Sequence, residues 1–144
     1  MTATTTSAAE PPEPVDVDDE DPGRRRSRRR LGAMLLVMGA LHFVVPGRFA
    51  EIVPRVLGRP RFWVYASGVA ELASGALLLD RRTARLGGVA ATATIVAVYP
   101  ANIQMAIDSG PPTDVKAAFA WLRLPMQFPM IAWALGHARG RATA

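Results

Sequence analysis

Half of the residues are apolar, and they fall into four long blocks, 31–45, 62–79, 86–107 and 117–136, of 15, 18, 22 and 20 residues. At about 1.5 Å of rise per residue, helices over these blocks reach roughly 22, 27, 33 and 30 Å, against a bilayer hydrocarbon core of about 30 Å. Inside hydrocarbon every backbone N–H and C=O must be paired internally, so each block has to be a helix. The pattern predicts an all-α fold: a four-helix transmembrane bundle. The first block is short. It spans if Arg28 to Arg30 extend their charges to the headgroups at one end and the helix continues past Pro46 at the other, giving spans of about 31–46, 62–79, 86–107 and 117–136.

The flanks divide the chain into a tail over 1–30, a membrane domain over 31–137 and a short C-terminal tail over 138–144. Residues 1–23 carry seven carboxylates and little to bury, which predicts disorder. Residues 24–30 then hold six arginines directly against the first block. With the N-terminus inside, eleven Lys and Arg face inward and five outward, which orients both termini to the cytoplasm in a multi-pass inner-membrane protein. Orientation, with anionic lipid headgroups as partners, accounts for the net charge of +5, and nucleic-acid binding is not expected.

The segment after the first block has its own pattern. Phe49, Ile52, Val53, Val56 and Leu57 recur at helical spacing while Arg48, Glu51, Arg55 and Arg59 take the other side, so a short interfacial amphipathic helix is expected there. Pro100, Pro125 and Pro129 remove the helical donors of the Val96, Trp121 and Pro125 carbonyls, and Arg123 is expected to supply donors locally.

Three of the four blocks contain an ionisable side chain: His42, Glu71 and Arg123. A charge in hydrocarbon costs roughly 2.5 to 3.5 kcal/mol on insertion scales, so each needs a partner or a wet cavity, and Glu71 with Arg123 make the natural pair. Counting from the block ends puts His42 about 17 Å from the inner end, Glu71 about 14 Å, Arg123 about 9 Å and Gln127 about 15 Å from the outer end, and Asn102 about 24 Å up the third block. All five fall between the midplane and the outer interface. Arg123 and Gln127 share a helix face, as do Tyr99 and Asn102. These six residues are the candidate ligand site. The alternative is structural: buried ionic groups that fix helix register and do no chemistry.

The chain has no cysteine, which removes thiolate metal sites and thiol redox relays. His137 stands at the inner end of the last block and His42 in the outer half of the first, so bis-histidine haem ligation is not expected, nor is a metal site. Trp63, Tyr65, Trp121 and Trp133 read as interface and packing aromatics.

Four segments, in order, carry a resemblance: Gly39-Ala40-Leu41-His42-Phe43 with Pro46, Val64-Tyr65-Ala66-Ser67-Gly68-Val69-Ala70-Glu71-Leu72, Tyr99-Pro100-Ala101-Asn102-Ile103, and Arg123-Leu124-Pro125-Met126-Gln127. Over residues 31–135 the chain resembles the DoxX-like family of small four-helix membrane proteins. The resemblance implies a bundle in the cytoplasmic membrane. Some relatives are subunits of a quinone-reducing thiosulfate oxidoreductase, and others are linked to oxidative-stress or cofactor-maturation systems. The expectation is a quinone-linked redox subunit in which Arg123 and Asn102 hold ligand oxygens while Glu71 and His42 handle protons. Electrons would come from a partner redox or membrane protein, since the chain shows no cofactor motif of its own. A noncatalytic membrane scaffold or assembly protein and a small transporter, the latter built as an oligomer, are the other readings.

Overall fold

The computed structural model describes residues 20–139, and within them six α-helices and one 3-10 turn but no strand. Residues 1–19 and 140–144, with most of the tail expected to be disordered and most of the short C-terminal tail, lie outside the described residues.

The first helix, α1, runs over Pro22–Val44. It is lengthened backward, so the arginine run expected in the tail is helical. The cause is local. Asp21 caps the helix by accepting from the Arg24 N–H at 2.9 Å, and Pro22 occupies the first turn, where its missing N–H costs nothing. The expected continuation past Pro46 does not occur. A proline disfavours helical geometry at the residue before it, and Val45 leaves the helix with φ −129° and ψ 53°. In place of one interfacial amphipathic helix there follow the five-residue α2 (Pro46–Ala50) and a 3-10 turn (Arg55–Leu57), because Pro54 separates them.

Helix α3 (Pro60–Leu79) returns antiparallel to α1. The third block is broken into α4 (Ala84–Ala97) and α5 (Tyr99–Asp108), with the break at Val98, two residues before Pro100. The last helix, α6 (Val115–Ala138), is continuous through Pro125 and Pro129. Two helical stretches, Pro60–Leu79 and Ala84–Asp108, are long and apolar enough to cross a membrane. α1 packs on α3, α3 on α4, and α6 on both α4 and α5.

Glycine sets the closest approaches. A Cβ on Gly39 would stand 2.8 Å from the Gly68 carbonyl oxygen, and one on Gly75 2.8 Å from that of Gly32, so α1 and α3 touch backbone to backbone at two levels. Gly88 likewise lets α4 meet the backbone of His137 and Ala138 at the end of α6. Around these contacts lies an apolar core of Leu31, Leu35, Leu78, Ala91, Ile95 and Ala134. Most of it lies toward the arginine end of the bundle, and Ile95 carries it up to the back of the site.

The polarity of the remaining surface is inverted relative to a water-soluble bundle. Arg28, His42, Glu71, Ser74, Thr94, Asn102, Gln127 and His137 are buried, while Val37, Phe62, Val69, Leu86, Phe119 and Phe128 are each more than half exposed.

Candidate functional site

Away from the arginine end the helices separate and enclose a cavity of about 660 Å³. Its walls come from every part of the fold: Met38 and His42 of α1, Ser67 and Glu71 of α3, Thr94 of α4, Asn102 of α5 and Arg123 of α6. Phe49, Ile52, Val53 and Leu57, from α2 to the 3-10 turn, close the top. The apolar periodicity read from this segment is therefore spent on the cavity.

His42 and Glu71 meet first. The His42 Nδ1–H donates to the Met38 carbonyl at 2.8 Å, which places the proton on Nδ1 because a carbonyl only accepts. Glu71 Oε2 lies 3.3 Å from the same nitrogen. That oxygen is buried and has no hydrogen-bond partner among the described residues. The ring of Phe49 stacks on the His42 imidazole, with centroids 3.9 Å apart and planes at 20°. Phe49 was not foreseen as a site residue, although it heads the apolar pattern of its segment.

The expected ion pair between Glu71 and Arg123 does not form. Glu71 lies instead within 3.3 Å of His42, and the buried guanidinium of Arg28 pairs with Glu20. α3 packs against α1 and α4 whereas α6 packs against α4 and α5, so the cavity lies between the two charges. The Arg123 guanidinium lies 5.8 Å from the centroid of the Phe119 ring and makes no hydrogen bond among the described residues.

Gln127 and Asn102 form the back of the site. Asn102 Nδ2 donates to Gln127 Oε1 at 2.7 Å, and Gln127 Nε2 donates to the Ile95 carbonyl. Ile95 stands three residues before the break at Val98. Gln127 thus answers a carbonyl beside the broken helix, one residue before the Val96 carbonyl whose helical donor Pro100 removes. Arg123, expected to supply donors locally, stands one turn away beside Phe119 and makes no hydrogen bond among the described residues. Gln127 does not line the cavity but sets the orientation of Asn102, which does. Tyr99 shares α5 with Asn102 but stays outside the cavity, edge-on to Phe128 at 6.0 Å between centroids.

The arginine end is closed by polar contacts of a different kind. Arg28 donates to both carboxylate oxygens of Glu20, at 3.0 and 2.9 Å, and to the Leu78 carbonyl at the end of α3. The Arg28 guanidinium holds the Glu20 carboxyl below the usual carboxylate range. Arg85 donates to the Ala138 carbonyl at 3.2 Å and Thr83 to that of Leu77 at 2.8 Å. Each satisfies a carbonyl that a helix C-terminus leaves without a donor. Trp133 Nε1 donates to Ser27 Oγ at 2.7 Å, and the same hydroxyl lies 3.3 Å from His137 Nε2, which ties α6 to α1. Among the described residues no group of three His, Asp or Glu is placed to hold a metal ion.

The sequence profile of one family, described as Domain of unknown function (DUF8561), matches residues 31–138. No curated protein and no solved structure matches the chain.

Proposed function

The chain belongs to this family of unknown function, and from the geometry of its cavity we propose that it is a four-span membrane protein holding a quinone-like ligand among its helices. The bilayer reading rests on the inverted polarity: eight polar or charged side chains are buried while large apolar ones face outward. Two of the four spans meet the length and apolarity of a crossing helix unaided. α1 and α6 fall short because of the arginines at the start of one and of Lys116, Arg123 and Gln127 in the other.

One observation carries the ligand reading. A largely apolar cavity of about 660 Å³ contains, on walls formed by α3 and α6, a carboxylate oxygen and a guanidinium that have no hydrogen-bond partner among the described residues. A volume of this order, apolar walls and a few convergent polar groups are the usual marks of a small-molecule site. The guanidinium offers only donors, so it calls for a ligand oxygen. Glu71, with His42 beside it, suits a ligand group that gains and loses a proton. A ring with an oxygen at each end satisfies both walls, and the flat face of Phe49 covers it. The resemblance to DoxX-like proteins points to the same chemical class.

Native mass spectrometry of the protein reconstituted with a short-chain ubiquinone tests this. Wild-type protein retains one quinone per chain, and Arg123→Met and Glu71→Gln each lower retention at least about tenfold, the loss expected when a charge-assisted contact worth about 1.5–3 kcal/mol disappears. Wild-type protein that retains no quinone, or an Arg123→Met variant that retains it fully, overturns the proposal.

A further inference from the structure

A second concavity, of about 250 Å³, lies at the arginine end between α1 and α6, lined by Gly23, Arg26, Ser27, Arg30 and Trp133. We infer that Arg26, Arg30 and Trp133 bind the phosphodiester headgroup of an anionic lipid, whose acyl chain lies along the outward face of α1. The inference rests on the bilayer reading but not on any ligand in the larger cavity.

The arginines of α1 are not equivalent. Arg28 is 3 % exposed and is committed to Glu20 and the Leu78 carbonyl. Arg26 and Arg30 stand four residues apart on one face, with Gly23 and Ser27 within the same quarter to third of a turn. Arg26 uses only its Nε–H, on the Pro22 carbonyl at 3.3 Å. Arg30 makes no hydrogen bond or ion pair among the described residues, and both side chains are exposed. Two guanidiniums one turn apart present planar, paired N–H donors to the unesterified oxygens of a phosphate.

The opposite wall is held in place. Trp133 gives its indole N–H to Ser27, whose hydroxyl also lies against His137, so the ring stands upright beside the arginines. An indole at the end of a span is the usual neighbour of a headgroup.

Continuity with an apolar stripe selects a lipid over a free phosphate. On the face that carries Arg30, the positions one, two, three and four turns onward are Ala33, Val37, Leu41 and Val44, all exposed, and Val37 and Val44 are 61 % and 72 % exposed. The charged pocket therefore opens directly onto a row of aliphatic side chains suited to an acyl chain. Phosphatidylcholine fits poorly because its trimethylammonium would face the six arginines of residues 24–30.

Detergent-solubilised full chain is mixed with equal amounts of phosphatidylglycerol and phosphatidylcholine of the same acyl composition, and bound lipid is read by native mass spectrometry. Wild-type protein retains phosphatidylglycerol in preference. R26Q/R30Q weakens that retention about thirtyfold, and R30Q alone about fivefold should the double variant fail to fold, since each direct guanidinium–phosphate contact at an exposed site contributes about 1 kcal/mol net. R25Q/R29Q, which removes the same charge from faces that do not line the concavity, leaves retention within about twofold of wild type. Equal loss in R25Q/R29Q, equal retention of phosphatidylcholine, or displacement by a large excess of inorganic phosphate overturns the inference. Protein that stays soluble and monodisperse without detergent overturns the bilayer reading as well. Protein that needs detergent but shows no lipid preference overturns this inference alone.

Discussion

The two ends of the bundle are built on opposite rules. At the arginine end the helices touch through Gly32, Gly75 and Gly88, the apolar core is continuous, and helix-end carbonyls are answered by Arg28, Thr83 and Arg85. At the other end α1 stops at Val44, the third block breaks at Val98, and polar side chains line a cavity. The arginine end is packed, with His137 Nδ1 its one buried ring nitrogen lacking a hydrogen bond among the described residues; the other end keeps a carboxylate oxygen and a guanidinium without hydrogen-bond partners among those residues, both facing a cavity. The closed end pins four helices in place, and that lets the open end hold unpaired polar groups at fixed positions without collapsing around them.

The contrast can be broken most forcefully at Gly88. A leucine there would drive its Cβ into the backbone of His137 and Ala138, which has no rotamer to yield. Gly88→Leu should cost about 3 kcal/mol, the upper part of the overpacking range, and be read as loss of folded protein in a detergent-denaturation titration. Next comes Arg28→Met, which leaves the Leu78 carbonyl and the Glu20 carboxylate without their donor. The expected loss is about 1.5–3 kcal/mol, with faster hydrogen exchange confined to the first turns of α1 and the last turn of α3.

At the open end, Gln127→Leu and Arg123→Met should behave differently although they are four residues apart. Gln127→Leu orphans the Ile95 carbonyl and the Asn102 amide, and costs about 1–3 kcal/mol of stability. Arg123 makes no hydrogen bond among the described residues, so Arg123→Met should leave stability within about 0.5 kcal/mol of wild type and change only ligand retention. Matching thermal shifts in the two variants would remove the distinction between a supporting residue and a ligand-facing one.

The smallest effect is that of pH on the Glu20–Arg28 clamp. Folding lowers the Glu20 carboxyl below its ordinary value of 4.5, so the contribution of the clamp is fully present above that pH and is lost as the pH falls through the lower, folded value. Hydrogen exchange at Arg24 to Ser27 should accelerate in acid in wild type, and Glu20→Gln should flatten that response. Acceleration that persists unchanged in Glu20→Gln would assign it to another group.

Much of the site was legible before any fold was known. His42, Glu71, Asn102 and Arg123 were found by asking which groups hydrocarbon would not tolerate, and all four line one cavity. Counting rise per residue sufficed because packed antiparallel helices bring residues at like heights together. The pairing was not legible. Glu71 and Arg123 were matched by charge, yet the order in which helices pack puts His42 beside Glu71 and leaves the cavity between the carboxylate and the guanidinium. Tyr99 and Gln127 were placed at the site by their helical spacing from Asn102 and Arg123. Such spacing fixes only a broad shared face, and Tyr99 packs edge-on to Phe128 while Gln127 is drawn to the Ile95 carbonyl.

By itself the sequence determined that this chain is helical and where its apolar lengths lie, since both follow from local spacing and from the backbone's need for partners. It also set the depth of each polar residue along its own helix. Only the tertiary structure decided which of those residues meet, that Phe49 covers the cavity, and that arginines with the same neighbours divide into a helix-end donor at Arg28 and an exposed pair at Arg26 and Arg30. Those outcomes depend on the rotation of each helix about its axis and on the close approaches that glycine permits, which are properties of pairs of helices and not of any one stretch of chain.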